Sequence, residues 1–182
     1  HNIAGVDGAR AFRKGRVLSP DDIAILAAMG RTDVYVARLD PDDVDENRAA
    51  RRIGAALSGP GLKAAGAASG RNNLLAAVRG VFRVDVERLA RLNLIDGLTV
   101  ATLHGNNPVR PRQIAATVKI VPFALPEASV AEAEAIAREE GPILQVDPLP
   151  AARVAVVFSG SQSIKDRLLD DFAPLIERLE GL

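Results

Sequence analysis

Between Leu62 and Leu149, short β-patterned runs follow one another across loops too brief to hold a crossover helix, and this spacing limits the fold more than any other feature. Parallel neighbours need a connection of a dozen or more residues, so strands joined this closely pair antiparallel or in mixed sheets. The runs are LKAAGAA, LLAAVRGVFRV, LTVATL, ATVKIVPFAL and ILQVDPL. Two helical segments interrupt them: DVERLARLN, capped by Asp85, and VAEAEAIAREE. The polar stretches SGRNN and HGNNPVRPRQ read as loops, because asparagine accepts left-handed backbone and hydrogen-bonds its own turn. Residues 62–149 are therefore predicted to form a central mixed α/β unit.

Residues 1–58 read as an N-terminal β-rich and helical unit. RKGRVLS is a short basic strand or turn, and Ser19-Pro20-Asp21-Asp22 gives a cap, a first-turn proline and an acidic first turn. Ile23, Leu26 and Ala27 continue that helix to Gly30. DVYVARL (33–39) alternates like a strand, and Asp40 is expected to cap a helix from Pro41 that turns Val44, Ala49, Ile53 and Leu57 inward. The acidic run LDPDDVDEN lacks calcium-loop spacing and falls in that helix's first turn. Beyond the joint PLPAAR, residues 153–182 read as an apolar strand (Val154 to Phe158), a Ser/Gly loop and an amphipathic helix. That is the first half of a βαβ unit, and it predicts a parallel sheet continuing in a longer polypeptide. No internal repeat is evident.

Composition removes several functions. Lys plus Arg and Asp plus Glu number 23 each, and there is no Trp, one Tyr and five Phe, so neither a basic field nor aromatic platforms favour nucleic acid. The absence of cysteine excludes disulfides and thiolate metal sites, and two histidines make a histidine cluster improbable. No apolar run approaches the ~20 residues of a membrane helix, and the start does not read as a signal peptide. The default expectation is a cytoplasmic protein, of 182 residues, with no membrane partner.

The residues suggest two places for chemistry. FSGSQSIKD joins a strand to a helix N-terminus, where backbone N–H groups, the hydroxyls of Ser159, Ser161 and Ser163, the small Gly160 and the charge of Lys165 suit a phosphate. A capped helix after a serine-rich connection explains the same residues without a ligand. The second place is a set of polar residues that could line a cleft: Arg71, Asn72, Asn73, Asn93, Asp96, His104, Asn106, Asn107 and Arg110. Lys119 sits within ATVKIVPFAL; alternation gives it one face with Thr117 and Val121, opposite Val118, Ile120 and Pro122. It either snorkels to solvent or holds an anion.

In order, RKGRVLSPDDIAILAAMG, DVYVARL, GRNNLLAAVRG, VDVERLARLN, LTVATL, ATVKIVPFAL and RVAVVFSG cover nearly the whole chain. Together they resemble bacterial molybdopterin-binding proteins similar to the molybdopterin molybdotransferase family of molybdenum cofactor biosynthesis. The resemblance implies an α/β protein with mixed sheets, whose last segment is the terminal βα unit of a three-layer pterin-binding domain. It implies binding of molybdopterin, bare or as a nucleotide, by Ser159, Gly160, Ser161, Ser163 and Lys165, with Lys119, Arg71 and Asn73 contributing. The parent protein would be a transferase, molybdotransferase-like or a nucleotidyltransferase, with magnesium in the full-length protein. Where better-known members carry a TGDE-like acidic loop, this sequence has SGSQS. The alternative is a non-catalytic scaffold or dimerisation module, with a homodimer as partner, its apolar strands pairing between chains.

Overall fold

The computed structural model describes residues 3–4, 10–12, 15–150, 152–157 and 159–180. The chain forms two compact units, His1–Leu149 and Pro150–Leu182. In the first, the elements are β1 (Ile3–Ala4), β2 (Arg10–Phe12), α1 (Pro20–Ala28), β3 (Asp43–Asp45), α2 (Glu46–Leu57), β4 (Leu62–Ala64) and β5 (Arg71–Ala76). Next come β6 (Gly80–Val84), α3 (Val86–Leu92), β7 (Leu98–Thr102), β8 (Pro108–Val109), β9 (Ile114–Ile120), β10 (Ala124–Pro126), α4 (Glu127–Arg138) and β11 (Leu144–Pro148). Strands β4-β5-β9-β7 make one sheet and β11-β6-β8 another, while β3 pairs with β10 and β1 with β2. Among the described residues every pairing is antiparallel, as short connections require. The fold class is α/β.

One core serves residues on both sides of the Gly59–Gly61 break. Ala49, Ala50, Ile53 and Leu57 recur at helical spacing along α2 and join Leu74, Val100, Val118 and Ile120 from the four-stranded sheet. Helix α4 packs beside α2 through Val130 and Ala133. Arg52 clamps the two helices, reaching Glu127 at 2.6 Å and Glu134 at 2.9 Å. At the start of α1, Ser19 and Asp22 form a reciprocal capping box. The buried Asp22 also pairs with Arg16 at 2.6 Å, and these bonds, the Ser19 N–H first, hold its carboxyl below the usual range.

Several expectations change. Arg71, Asn72 and Asn73 are not loop residues but the start of β5; only Ser69 and Gly70 turn, both at positive φ (51° and 68°), between the mutually bonded Ala68 and Arg71. That is the two-residue turn whose twist suits a hairpin. LLAAVRGVFRV is two strands in different sheets, and the predicted strand at Leu62 stops at Ala64. The helix expected from Pro41 starts at Glu46: Asp43–Asp45 is instead a strand against β10, and Asp45 supplies the cap by accepting from the N–H groups of Asn47 and Arg48. Pro122 ends the ATVKIVPFAL strand early. DVYVARL lies in no strand, with Tyr35 and Val36 exposed, because no described strand pairs with it. In RKGRVLS, residues 16–19 form no strand; Arg13 and Lys14 lie outside the described residues.

The absence of a repeat is also corrected. The strand–helix unit β3–α2 recurs 81 residues on as β10–α4, with strands of 3 residues and helices of 12 in both. The two units face each other about an approximate two-fold axis: Val44 pairs with Leu125 at the centre. The Glu46 N–H donates to the Phe123 carbonyl at 2.8 Å, and the Glu127 N–H to the Asp42 carbonyl at 2.9 Å. Each helix is followed by a Gly-Pro pair and a strand, β4 or β11. Sequence identity between the units is too low to announce this; backbone bonding carries the symmetry.

In the second unit, a 3-10 turn (Gln162–Ile164) leads into α5 (Lys165–Glu180). Residues 152–157 form no strand, and Val154 and Val157 are exposed; Phe158 lies outside the described residues. The expected βα unit is thus a helix preceded by irregular chain. The apolar run Val154–Val157 has the composition of a strand, but among the described residues no strand pairs with it.

Candidate functional site

The four-stranded sheet has a buried face against α2 and an outward face. On β5, Asn72, Leu74 and Ala76 point inward and Arg71, Asn73 and Leu75 outward; on β9, Val118 and Ile120 are buried while Thr117 and Lys119 are half-buried. Register then aligns the outward residues in rows. Arg71 lies opposite Lys119, which lies opposite Thr99 of β7; Asn73 lies opposite Thr117, itself opposite Ala101.

The row is tied down by local bonds. Asn73 Oδ1 accepts from Arg71 Nε at 3.1 Å and from Thr117 Oγ1 at 2.9 Å. Lys119 Nζ donates to the Ser69 carbonyl at 2.7 Å. The Ser69–Gly70 turn is anchored in turn, since the Gly70 N–H donates to Asn47 Oδ1 (3.0 Å) and its carbonyl accepts from the Ile120 N–H (2.7 Å). A Cβ at Gly70 would stand 2.8 Å from both the Ile120 carbonyl and Glu46 Oε2, so glycine is required there by space as well as by φ. Among the described residues, no carboxylate lies within salt-bridge distance of Arg71 or Lys119. Like charges set directly opposite across an antiparallel pair destabilise it. Arg71 Nη1 and Nη2 and the remaining protons of Lys119 are donors available to an anion.

A cleft of about 360 Å³ opens where β7 begins and β9 ends, lined by Asp96, Gly97, Leu98, Thr99, Val121 and Pro122. Thr99 and Val121 alternate onto the face that carries Lys119. A second depression, of about 530 Å³, runs along α2 between Asp45, Arg48, Arg51, Arg52 and Ala55, where Arg52 is already committed to Glu127 and Glu134.

Arg71, Asn73 and Lys119 are therefore brought together, with Thr99 and Thr117, which sequence reading left out of the site although the alternation of LTVATL could have found Thr99. The other polar residues are structural or exposed. Asn93 closes the outer edge of β7: its Oδ1 accepts from the Val100 N–H at 2.7 Å, and its Nδ2 donates to the Val100 carbonyl at 3.1 Å. Asn106, at positive φ, accepts from Arg83, which pairs with Asp147 at 2.6 Å. His104, Asn107 and Arg110 are exposed, and Asn72 is fully buried. In the second unit Ser159, Gly160, Ser161, Ser163 and Lys165 are all exposed, with the Ser161 and Ser163 hydroxyls 2.9 Å apart. Among the described residues no group of three or more His, Asp or Glu side chains gathers to hold a metal. No helix among them is long and apolar enough to cross a membrane.

A family model described as a domain of unknown function (DUF8806) matches residues 1–38. No curated protein and no solved structure matches the chain.

Proposed function

We propose that the chain binds a phosphorylated small molecule on the outward face of its four-stranded sheet, with the phosphate held by Arg71 and Lys119. The observation that carries this reading is the direct opposition of two cations across β5 and β9, with no carboxylate among the described residues within salt-bridge distance of either. An anion shared between them turns a repulsive pair into two charge-assisted contacts. The Thr99 hydroxyl extends the row, and the neighbouring cleft has the size of a small-ligand pocket. The ligand class implied by the sequence resemblance, molybdopterin or its nucleotide form in molybdenum cofactor biosynthesis, fits: a phosphate on the cations and a flat ring against Val121 and Pro122. The exposed Ser159–Ser163 loop and Lys165 form a separate set of donors, suited to a phosphate on the same ligand class.

Calorimetric titration of molybdopterin into the chain and its variants tests this. Hydrogen bonds to charged groups contribute ~1.5–3 kcal/mol, so Arg71→Ala and Lys119→Ala should each weaken binding by roughly tenfold to a hundredfold. Each change removes a like-charge contact together with one local bond, Arg71 Nε to Asn73 or Lys119 Nζ to the Ser69 carbonyl, so thermal stability should stay close to that of the parent. Unchanged affinity in both variants would remove the sheet face from the site, and unchanged affinity in Lys165→Ala would remove the loop.

A further inference from the structure

We infer that residues 33–39 pair antiparallel, as a strand, with residues 153–157 of a second copy of this chain. Both segments have the composition of strands, and neither is paired among the described residues. Tyr35, Val36, Val154 and Val157 are each at least 60% exposed. An open strand edge bearing apolar side chains is a template for another chain to add to.

The internal two-fold identifies the partner. Residues 33–39 stand 81 positions before β9, and a proline follows two places after each, Pro41 and Pro122. The Gly-Pro pairs after α2 and α4 are 82 residues apart, and that count carries Arg71–Leu75 of β5 onto Arg153–Val157. Since β5 and β9 are neighbours in the four-stranded sheet, the two unpaired segments are the counterparts of two strands that bond each other. Carrying that register across sets Arg153 opposite Arg38, Val154 opposite Ala37 and Ala155 opposite Val36. Val154, Val156, Ala37 and Leu39 then share one face, the face on which β5 and β9 bury Leu74, Val118 and Ile120.

The turn decides that the partner strand is another copy's. Strand β5 is returned beside its own chain by Ser69 and Gly70 at positive φ, a turn closed by the Ala68 N–H donating to the Arg71 carbonyl at 3.0 Å. The corresponding positions hold Pro150, Ala151 and Ala152. Proline has no N–H for that bond, and alanine disfavours the left-handed backbone that both turn positions need. Exchange between two copies pairs both segments without this turn. It also closes, because each copy gives one strand and receives one, and two equal ladders form about a two-fold axis.

Sedimentation equilibrium should show the 182-residue chain as a dimer. The chain has no cysteine, so Val36→Cys and Ala155→Cys can be made singly. Oxidising their equimolar mixture should give a covalent dimer, whereas either variant alone should stay uncrosslinked, because position 36 faces 155 and not itself. Arg38→Glu turns two repulsive cross-strand pairs into attractive ones and should tighten the dimer by about tenfold; adding Arg153→Glu restores the repulsion and should cancel the gain. Circular dichroism of these variants, which alter only exposed residues, verifies that the fold persists. A monomer at concentrations up to about 100 μM would overturn the inference, as would a mixture that fails to crosslink. So would a disulfide closing within one chain of the doubly substituted protein, or a dimer indifferent to Arg38→Glu, which would mean a different register.

Discussion

Asn72 and Gly54 offer a sharp test of how α2 fixes the binding face. Asn72 is fully buried on the inner side of β5, and neither amide atom has a hydrogen-bond partner among the described residues. It lies against Gly54 of α2, where a Cβ would stand 2.7 Å from Asn72 Nδ2 and 2.9 Å from its Cγ. Gly54→Ala gains about 1 kcal/mol of helix propensity but overpacks the contact at a cost of ~1–3 kcal/mol, so a net loss of about 1 kcal/mol is expected. Asn72→Ala forfeits packing yet removes two buried polar atoms whose isolation costs ~1–3 kcal/mol, and should fall within about 1 kcal/mol of the parent. In the double variant the new methyl occupies the vacated space; the nearest remaining atom, Cβ of residue 72, lies 3.3 Å away. The pair should then be coupled by about 2 kcal/mol in the stabilising direction. Urea denaturation of the four proteins measures this, provided their m-values agree. Additivity within about 0.5 kcal/mol would refute the reasoning, because it would mean that helix and strand do not meet there. The contact matters for function: with Asn72 held inward, the period of two sends Arg71 and Asn73 outward.

Two further outcomes follow from the bonds described. Asn93→Ala leaves the Val100 N–H and carbonyl without their partner and should cost ~1–2 kcal/mol in urea denaturation while raising light scattering, since it uncovers a strand edge. Arg52 holds the Glu127 and Glu134 carboxyls below their ordinary value of 4.5. Depressed carboxyls contribute stability that is present above that value and lost as pH falls through the folded one. The parent should therefore lose melting temperature in acid more steeply than Arg52→Met, and a gap between the two that is equal at pH 7 and pH 3 would contradict the clamp.

What could be read from the sequence was local chemistry. Ser19-Pro20-Asp21-Asp22 specifies a helix start through bonds within four residues, and Asp85 does the same for α3. Lys119 between Val118 and Ile120 declared a two-sided strand, because alternation needs no knowledge of the partner. Non-local pairing was hidden. Arg71-Asn72-Asn73 carries the composition of a turn, and only β9 beside it and α2 beneath it make it a strand. DVYVARL and Val154–Val157 show the converse: they have strand composition, and no described strand bonds to them. For the site, Arg71, Asn73 and Lys119 could be named singly, but their meeting depends on a register that includes a bulge between Leu74 and Leu75.

The two-fold relation between β3–α2 and β10–α4 supplies sister positions within one chain. Counting 81 residues back from β9 reaches Asp33–Leu39, and the sister of Lys119 is Arg38. Both are cations flanked by apolar neighbours at matching places before a matching strand and helix. One stands in the middle of a sheet beside Arg71; the other lies on an exposed stretch with no described strand at its side. The molecule thus holds its own internal control: the same charge, in nearly the same chain context, with and without the lattice of backbone bonds that sets a second cation across from it.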